Sequence, residues 1–232
     1  TSAGNFKIRG AVAVTAPNGG ESWTYNTVQN VAWTRVGSLA NVKLEYSTDG
    51  GTTYPNVIIA STPADPLPAD NAGTYAWTIP DALTLQAKVR VSDASDATVL
   101  DSSNANFTIQ GTLTLTAPNS GEVWVVGTVQ NITWTKTGSI ANVKLEYSTN
   151  GGVTYPNLIV ASVSSVSPYA WTVPDAIGSQ LRVKISDAAN AGVFDTSDAN
   201  FSVKGSVTLT SPNGGETWII GASQNITWTR AG

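Results

Sequence analysis

The sequence contains no cysteine, no histidine and no methionine among its 232 residues. Without cysteine the chain has no disulfide framework and no thiolate metal site. Without histidine it lacks the most common general base and the most common metal ligand. The missing methionine leads us to expect a processed chain or an excerpt. No apolar run reaches membrane-spanning length, so we expect no membrane insertion in this segment and place any signal peptide or anchor outside it.

Charge is also scarce. Charged residues make up 12% of the sequence, the formal net charge is −4 and the pI is about 4.7. A nucleic-acid-binding protein normally carries a basic face, so we expect no nucleic-acid partner. Hydrophobic residues reach 41% and include eight tryptophans, while Thr, Ser, Asn and Gly supply most of the polar surface. This composition is typical of a β-rich globular protein and not of a disordered one.

The chain repeats itself at the length of a whole domain. The loop "PNGGESW" at Pro17 returns as "PNSGEVW" at Pro118, an offset of 101 residues, and as "PNGGETW" at Pro212, an offset of 94. The segment "NVKLEYST" is identical in both copies. Copy one is seven residues longer because of a Pro/Asp-rich loop at 62–73. Periods of this length exceed those of solenoid repeats and indicate copied domains.

The register of the copies divides the chain into four parts. We predict the end of a preceding repeat at 1–10, where "NFKIRG" matches "NFTIQG" and "NFSVKG". Repeat 1 then covers 11–111, repeat 2 covers 112–205, and 206–232 is the start of a third repeat. A lone pair of strands is not stable in water, so we expect neighbouring protein to cover the third start. Solvent on both sides of its strands would count against that expectation.

Each copy consists of short alternating segments between turn signals. In "NVKLEYS", Val42, Leu44 and Tyr46 fall on one face, and Lys43 and Glu45 on the other. The segments "AKVRVS", "NFTIQ" and "QNITWT" alternate in the same way, and no segment has helical periodicity. The fold class predicted is therefore all-β, with tandem immunoglobulin-like β-sandwich domains of about seven strands each. Gly111 follows the end of repeat 1 and Leu113 already belongs to repeat 2, so one or two residues connect the sandwiches, which favours a stiff connection.

A family resemblance rests on three runs of copy two, "TAPNSGEVWVVGTVQNITWTKTGS", "YAWTVPD" and "RVKISDAANAGVFDTSDANFSV". They resemble the immunoglobulin/fibronectin-III-like module of the Ser/Thr-rich GPI-anchored surface-protein family, which is similar to the N-terminal region of fungal β-glucan assembly proteins. The resemblance implies tandem sandwiches in secreted or cell-surface proteins, including prokaryotic ones. It implies no catalytic residues, because the family shares none.

Two polar stretches are candidates for specific chemistry. "STDGGTTY" at 47–54 resembles the Asp box of sialidases, which is a structural hairpin. Asp49 becomes Asn150 in copy two, and both residues suit a tight turn, so the turn interpretation is favoured. The acidic loops at 92–103 and 186–198 present oxygen ligands that suit calcium, and a solvated turn is the favoured alternative. The carboxylates and their counterparts are Asp93, Asp96 and Asp101 in copy one, and Asp187, Asn190 and Asp195 in copy two.

Three further features have a functional and a structural interpretation. Four Asn-x-Ser/Thr triplets would accept glycans in a eukaryotic secreted protein; they begin at Asn106, Asn131, Asn200 and Asn225. Chance occurrence is favoured, because the matching Asn5 and Asn30 lack the Ser/Thr. An isopeptide bond needs a buried lysine, whereas Lys43 and Glu45 form a predicted surface pair. The tryptophans favour core packing over a sugar-stacking platform, with Trp23 and Trp77 the least certain.

These observations favour a non-catalytic extracellular structural protein that forms a rod, stalk, surface filament or layer. Its expected partners are neighbouring repeats or other copies, through self-association. The alternative is an adhesin or a carbohydrate-binding accessory module with a surface glycan as its partner, which requires exposed aromatic side chains in a line on one sheet. We predict no enzyme activity, and no catalytic, cofactor-binding or metal-binding residues and no cofactor.

Overall fold

The computed structural model describes residues 7–65 and 71–232, and these residues form strands and loops without a helix. Part of the predicted N-terminal tail, residues 1–6, and part of the Pro/Asp-rich loop, residues 66–70, lie outside the described residues. In the described part of the chain no helix is long and apolar enough to cross a membrane. The chain forms two compact units. The first holds 1–111 with 137–139, and the second holds 112–136 with 140–232.

The described residues of the first unit form nine strands. They are β1 (Ala11–Ala16), β2 (Ser22–Thr24), β3 (Val28–Val36), β4 (Asn41–Ser47), β5 (Asn56–Pro63), β6 (Ala72–Thr78), β7 (Thr84–Asp93), β8 (Leu100–Ser102) and β9 (Phe107–Gln110). One sheet has the order β1-β3-β6. The other has the order β2-β9-β7-β4-β5, with β8 paired to β7. All these pairs are antiparallel except β2 with β9, which is parallel.

The second unit repeats this topology strand for strand. Its nine matching strands are β10 (Thr112–Ala117), β11 (Val123–Val125), β12 (Val129–Thr137), β13 (Asn142–Ser148), β14 (Asn157–Ser164), β15 (Tyr169–Thr172), β16 (Gly178–Asp187), β17 (Phe194–Thr196) and β18 (Phe201–Lys204). The sheets are β10-β12-β15 and β11-β18-β16-β13-β14, with β17 paired to β16. The two units are tandem immunoglobulin/fibronectin-III-like β-sandwiches, which confirms the predicted fold class.

The core of each sandwich lies between its two sheets, where the alternating apolar residues meet. In β4, Val42 and Leu44 are fully buried, and Ala87, Val89 and Val91 of β7 face the same core. The inward positions predicted from alternation are therefore confirmed for these strands. Tyr46 is only half-buried, and it packs against the core beside Trp77, with 5.0 Å between the ring centroids.

Two short strands, β2 and β8, were not predicted. Each has three residues, too few for the alternation of apolar and polar side chains to be recognised. Strand β2 lies inside the "PNGGESW" repeat, so the end of this motif is a strand and only its beginning is a loop. Its parallel pairing with β9 depends on a segment about 85 residues away in sequence, which no local pattern indicates.

The third start forms a hairpin. Strand β19 (Ser206–Ser211) pairs antiparallel with β20 (Thr227–Ala231). Side chains on both faces of β19 are open to solvent, and Trp218 and Trp228 are exposed. No part of the described chain therefore covers this hairpin, and its cover by neighbouring protein stays a prediction.

The fold predicts that the substitution of Val by Ala lowers stability more at a buried site of repeat 2 than at an exposed one. Val143→Ala removes two methyl groups from a fully buried position, so we expect repeat 2 to lose about 2 kcal/mol of stability. Val129→Ala makes the same change at a position 63% exposed and should change stability by less than about 0.5 kcal/mol. Hydrogen exchange of peptides from each repeat measures both, and equal effects would contradict the assigned core.

Candidate functional site

The glutamate of the repeated loop holds the loop together. The carboxylate of Glu21 accepts hydrogen bonds from the backbone N–H groups of Asn18 and Gly19, both at 2.7 Å. Glu122 accepts from Asn119 (2.8 Å) and Ser120 (3.0 Å) in the same way. Glu216 repeats the arrangement in the third start. The sequence signal was available, since Glu follows Pro at the same distance in all three copies, but its role was missed.

These hydrogen bonds also set the charge state of the loop. Partial burial by itself would raise the pKa of Glu21 and Glu122, but backbone N–H donors more than offset it and hold both pKa values below the ordinary value. In the exposed loop of Glu216 the N–H of Asn213 is the main cause of a lowered pKa. The second Gly of the motif has a left-handed φ of 84° at Gly20, a conformation that favours glycine. The motif is thus a structural turn, and it is also hydrogen-bonded to residues 103–108 of the same sandwich.

The Asp-box-like stretch is a turn in both copies. Asp49 Oδ1 accepts from Ser47 Oγ (2.5 Å) and from the Thr53 backbone N–H (3.0 Å), and Thr53 Oγ1 donates to Oδ2 (2.6 Å). These hydrogen bonds, from Ser47 first and then Thr53, lower the pKa of Asp49 to about 2. Asn150 makes the matching contacts with Ser148 (2.7 Å) and Thr154 (3.0 Å). Because an amide serves as well as a carboxylate here, the turn needs an acceptor and not a charge.

The carboxylates of the first acidic loop do not converge on one point. Asp93 accepts from Ser95, and Asp96 accepts from Thr98 and contacts Lys7 Nζ at 2.5 Å. Asp101 has a different partner and accepts a hydrogen bond from the backbone N–H of Val14 at 2.8 Å. The residues that the structure describes contain no group of three or more acidic, His or Cys side chains that could hold a metal ion.

Asp101 joins the two sheets of its sandwich. It belongs to β8, which pairs with β7, whereas its partner Val14 lies in β1 of the opposite sheet. The backbone register of β1 shifts just after Val14, so this N–H lies beside an irregular point of the β1–β3 ladder. Asp195 makes the same contact with the N–H of Leu115 at 2.7 Å. Asp101 and its counterpart Asp195 therefore each tie the two sheets of one sandwich together. The sequence did not reveal this role.

The predicted surface pair of Lys43 and Glu45 is wrong in one respect. Glu45 is only 6% exposed, because Lys43 and Arg90 cover its carboxylate. Lys43 Nζ lies 2.6 Å from Glu45 Oε1, and the Arg90 guanidinium donates to Glu45 Oε2 at 2.8 Å. Burial by itself raises the pKa of Glu45, and these two cations lower it below the ordinary value. Alternation predicted an outward direction correctly but not that long cationic side chains would close over it.

An open cavity of about 200 Å³ lies beside this cluster, lined by Lys43, Glu45, Arg90, Ser92, Ala97 and Leu100. Its cations already contact Glu45, and the Arg90 guanidinium also lies 4.3 Å from the centre of the Tyr54 ring. In repeat 2, Lys184 replaces Arg90 and lies over Phe194, the counterpart of Leu100. The cavity lining therefore differs between the copies. The Lys43 amine contacts a carboxylate and not an asparagine amide, so this pair does not have the partners of a Lys–Asn isopeptide bond.

The tryptophans of the two complete repeats are core residues. Trp23 packs edge-on against Trp77 at 6.0 Å between ring centroids and against Phe107 at 5.0 Å. The indole N–H of Trp33 donates to the carbonyl of Ala64 at 3.0 Å. Repeat 2 has the same ring cluster and the same indole hydrogen bond. Core packing is thereby confirmed for these six side chains, including the two that the sequence left least certain.

The asparagines of the glycosylation triplets lie in different settings. Asn106, Asn131 and Asn225 are exposed. Asn200 is half-buried, and its Oδ1 accepts a hydrogen bond from Arg182 Nε at 2.7 Å. The triplets therefore have no shared environment. Whether any of them carries a glycan stays a prediction.

No family model and no curated protein matches the chain. Solved structures that it resembles include fibronectin(III)-like modules of Clostridium thermocellum CbhA, with 21% identity over 83% of this chain and 94% of that chain and a TM-score of 0.30. A chimeric titin Z1Z2 has 14% identity over 85% and 99%, with a TM-score of 0.27. The ICAM-5 D1-D4 ectodomain fragment has 11% identity over 87% and 56%, with a TM-score of 0.40. Values this low transfer no function to this chain.

The loop glutamates predict how stability depends on pH. A carboxylate with a lowered pKa stabilises the folded state above its unfolded-state pKa, and this contribution is lost as the pH falls through the folded-state pKa. We expect Glu122→Gln to lower the stability of repeat 2 by about 1 kcal/mol at neutral pH. As the pH falls below about 4.5, repeat 2 of this variant should lose less stability than repeat 2 of the native chain. The exposed Asp175→Asn is the control. Thermal unfolding from pH 7 to 3 measures this, and parallel pH profiles for Glu122→Gln and the native chain would contradict it.

The separated carboxylates predict indifference to calcium. Because Asp93, Asp96 and Asp101 each bind different protein groups, we expect millimolar Ca²⁺ to leave the melting temperature within about 1 °C of its value in a chelator, apart from a general salt effect. Mg²⁺ at the same ionic strength is the control. A rise specific to Ca²⁺ that Asp101→Asn removes would show that the loop does bind the ion.

Proposed function

We propose that the chain is a non-catalytic structural protein in which tandem sandwiches act as mechanical units. The observation that carries this proposal is the use of the repeated polar side chains. Glu21, Asp101 and Ser103 of repeat 1 all hydrogen-bond to backbone groups of their own sandwich, and so do Glu122 and Asp195 in repeat 2. Side chains committed to holding loops and sheets are not available as acids, bases or ligands.

The connection between the repeats supports a stiff array. Strand β9 ends at Gln110 and β10 begins at Thr112, so only Gly111 lies between them. A linker of one residue gives little freedom, whereas a flexible linker of n residues spans about 5–6 Å × √n. We propose that arrays of such units form a rod, stalk, surface filament or layer, with neighbouring repeats or other copies as partners.

The distribution of aromatic side chains favours this role over sugar binding. A stacking platform needs exposed rings. The six tryptophans of the complete repeats are buried, and all seven tyrosines are half-buried. The exposed tryptophans are Trp218 and Trp228, both in the third start. An adhesin or carbohydrate-binding accessory module is thus the less favoured alternative.

An extracellular or cell-surface location belongs to the same proposal. The absence of cysteine is compatible with it, and the sequence resemblance to the Ser/Thr-rich GPI-anchored module points the same way. The low content of lysine and arginine, 12 residues in 232, suits a solvated surface that does not attract nucleic acid.

Force spectroscopy tests the mechanical role. Stretching the chain should give one unfolding event for each complete repeat, with a contour-length gain of about 34 nm, since roughly 95 residues extend by about 3.6 Å each. A second measurement, small-angle scattering, compares the native chain with one carrying eight Gly/Ser residues inserted after Gly111. The insertion should broaden the distance distribution. Unfolding without discrete events, or no effect of the insertion, would contradict a stiff array, and specific glycan binding would favour the alternative.

A further inference from the structure

Residues 206–232, which we call the open half, reproduce the first part of a sandwich. Strand β19 pairs with β20 in the register of β1 with β3: Ser206 lies opposite Ala231, as Ala11 lies opposite Val36. Thr210 Oγ1 contacts Thr227 Oγ1 at 2.7 Å, as Thr116 Oγ1 contacts Thr133 Oγ1 in repeat 2. The open half is therefore folded locally like the matching part of a complete repeat.

Its apolar face differs from that of a complete repeat only in being uncovered. Five apolar positions are at most 7% exposed in repeat 2 and at least 45% exposed in the open half. In chain order, the buried positions are Leu113, Leu115, Trp124, Ile132 and Trp134, and their exposed counterparts are Val207, Leu209, Trp218, Ile226 and Trp228.

The complete repeats show what covers these positions. Trp124 packs against Trp171 at 5.9 Å and Phe201 at 4.9 Å between ring centroids. The indole N–H of Trp134 donates to the carbonyl of Ser165 at 3.1 Å. In both cases the partner comes from the later part of the same repeat, residues 140–204, and repeat 1 makes the matching contacts.

The backbone of the open half points to the same partner. In repeat 2, the beginning of β12 pairs with β15, with Val129 opposite Thr172, and β11 pairs with β18. The counterparts of these segments, residues 223–226 and 217–219, are not strands. Residues 227–231, which do have a partner in β19, are a strand. In the open half, strand structure is therefore missing from the segments whose counterparts in repeat 2 pair with β15 and β18.

We propose that the open half is a docking surface for the complementary segment of a repeat of this same sequence, which carries strands equivalent to β13–β18. The matching segment of repeat 2 is 139–205, and it follows Gly138, the counterpart of Gly232. This segment restores the ring partners of Trp218, an acceptor for the Trp228 indole and the backbone partners of residues 217–219 and 223–226. The inference deepens the proposed structural role, on which it rests, by naming the partner.

The test adds residues 139–205 as a separate polypeptide to the full chain and follows hydrogen exchange of residues 206–232. We expect their amide exchange to slow at least tenfold and the fluorescence of Trp218 and Trp228 to shift to shorter wavelength. Leu209→Asp places a charge on the apolar face and should abolish the effect, whereas Thr208→Asp places it on the opposite face and should not. Equal behaviour of these two variants would overturn the proposal.

A covalent version keeps the test decisive if the separate segment aggregates. Here residues 139–205 are joined directly after Gly232, and a control carries the same extension with Asp at the positions of Leu145 and Val183. Protection of 206–232 in the first chain but not in the control supports the proposal. No protection in the first chain, or protection in the unextended chain through pairing of two open halves, overturns it. Neither readout measures stiffness, so failure here is distinguishable from failure of the mechanical role.

Discussion

The structure depends on one constraint, which is that each sheet has an apolar face that only the other sheet can cover. The three-stranded sheet of repeat 1 contributes Trp33 and Val31, and the larger sheet contributes Leu44, Val89 and Phe107. Removing these side chains from water is the main favourable contribution to folding, and each sheet by itself lacks it. The hairpin at 206–232 has the same apolar residues without the opposite sheet, and they stay exposed.

Polar side chains complete this arrangement where backbone pairing fails. Asp101 satisfies the N–H of Val14 beside the irregular point of β1, and Ser103 donates to the carbonyl of Pro17 at 2.7 Å in the adjacent loop. Leaving such partly buried backbone groups without partners would be costly. Asp101 thus serves the same end as the core, because it ties one sheet to the other.

The sequence was sufficient for what depends on local periodicity. Alternation in "NVKLEYS" and "AKVRVS" identified the strands and their inward faces, and the internal repeat indicated tandem domains. It was insufficient where the partner is distant in sequence. The tie from Asp101 to Val14 and the parallel pairing of β2 with β9 join segments more than 80 residues apart. Glu45 is buried by Arg90 of another strand, and a rule based on alternating faces does not include that contact.

Comparison of the two copies separates what the fold requires from what varies. The ring cluster of Trp124, Trp171 and Phe201 reproduces its counterpart in repeat 1 to within about 0.1 Å in centroid distance. Some polar residues differ, since Asn150 replaces Asp49 and Lys184 replaces Arg90. The polar side chains that bond backbone groups are kept, with Glu122 in the place of Glu21 and Asp195 in the place of Asp101. What is kept is packing and backbone ties, and both support the proposed structural role.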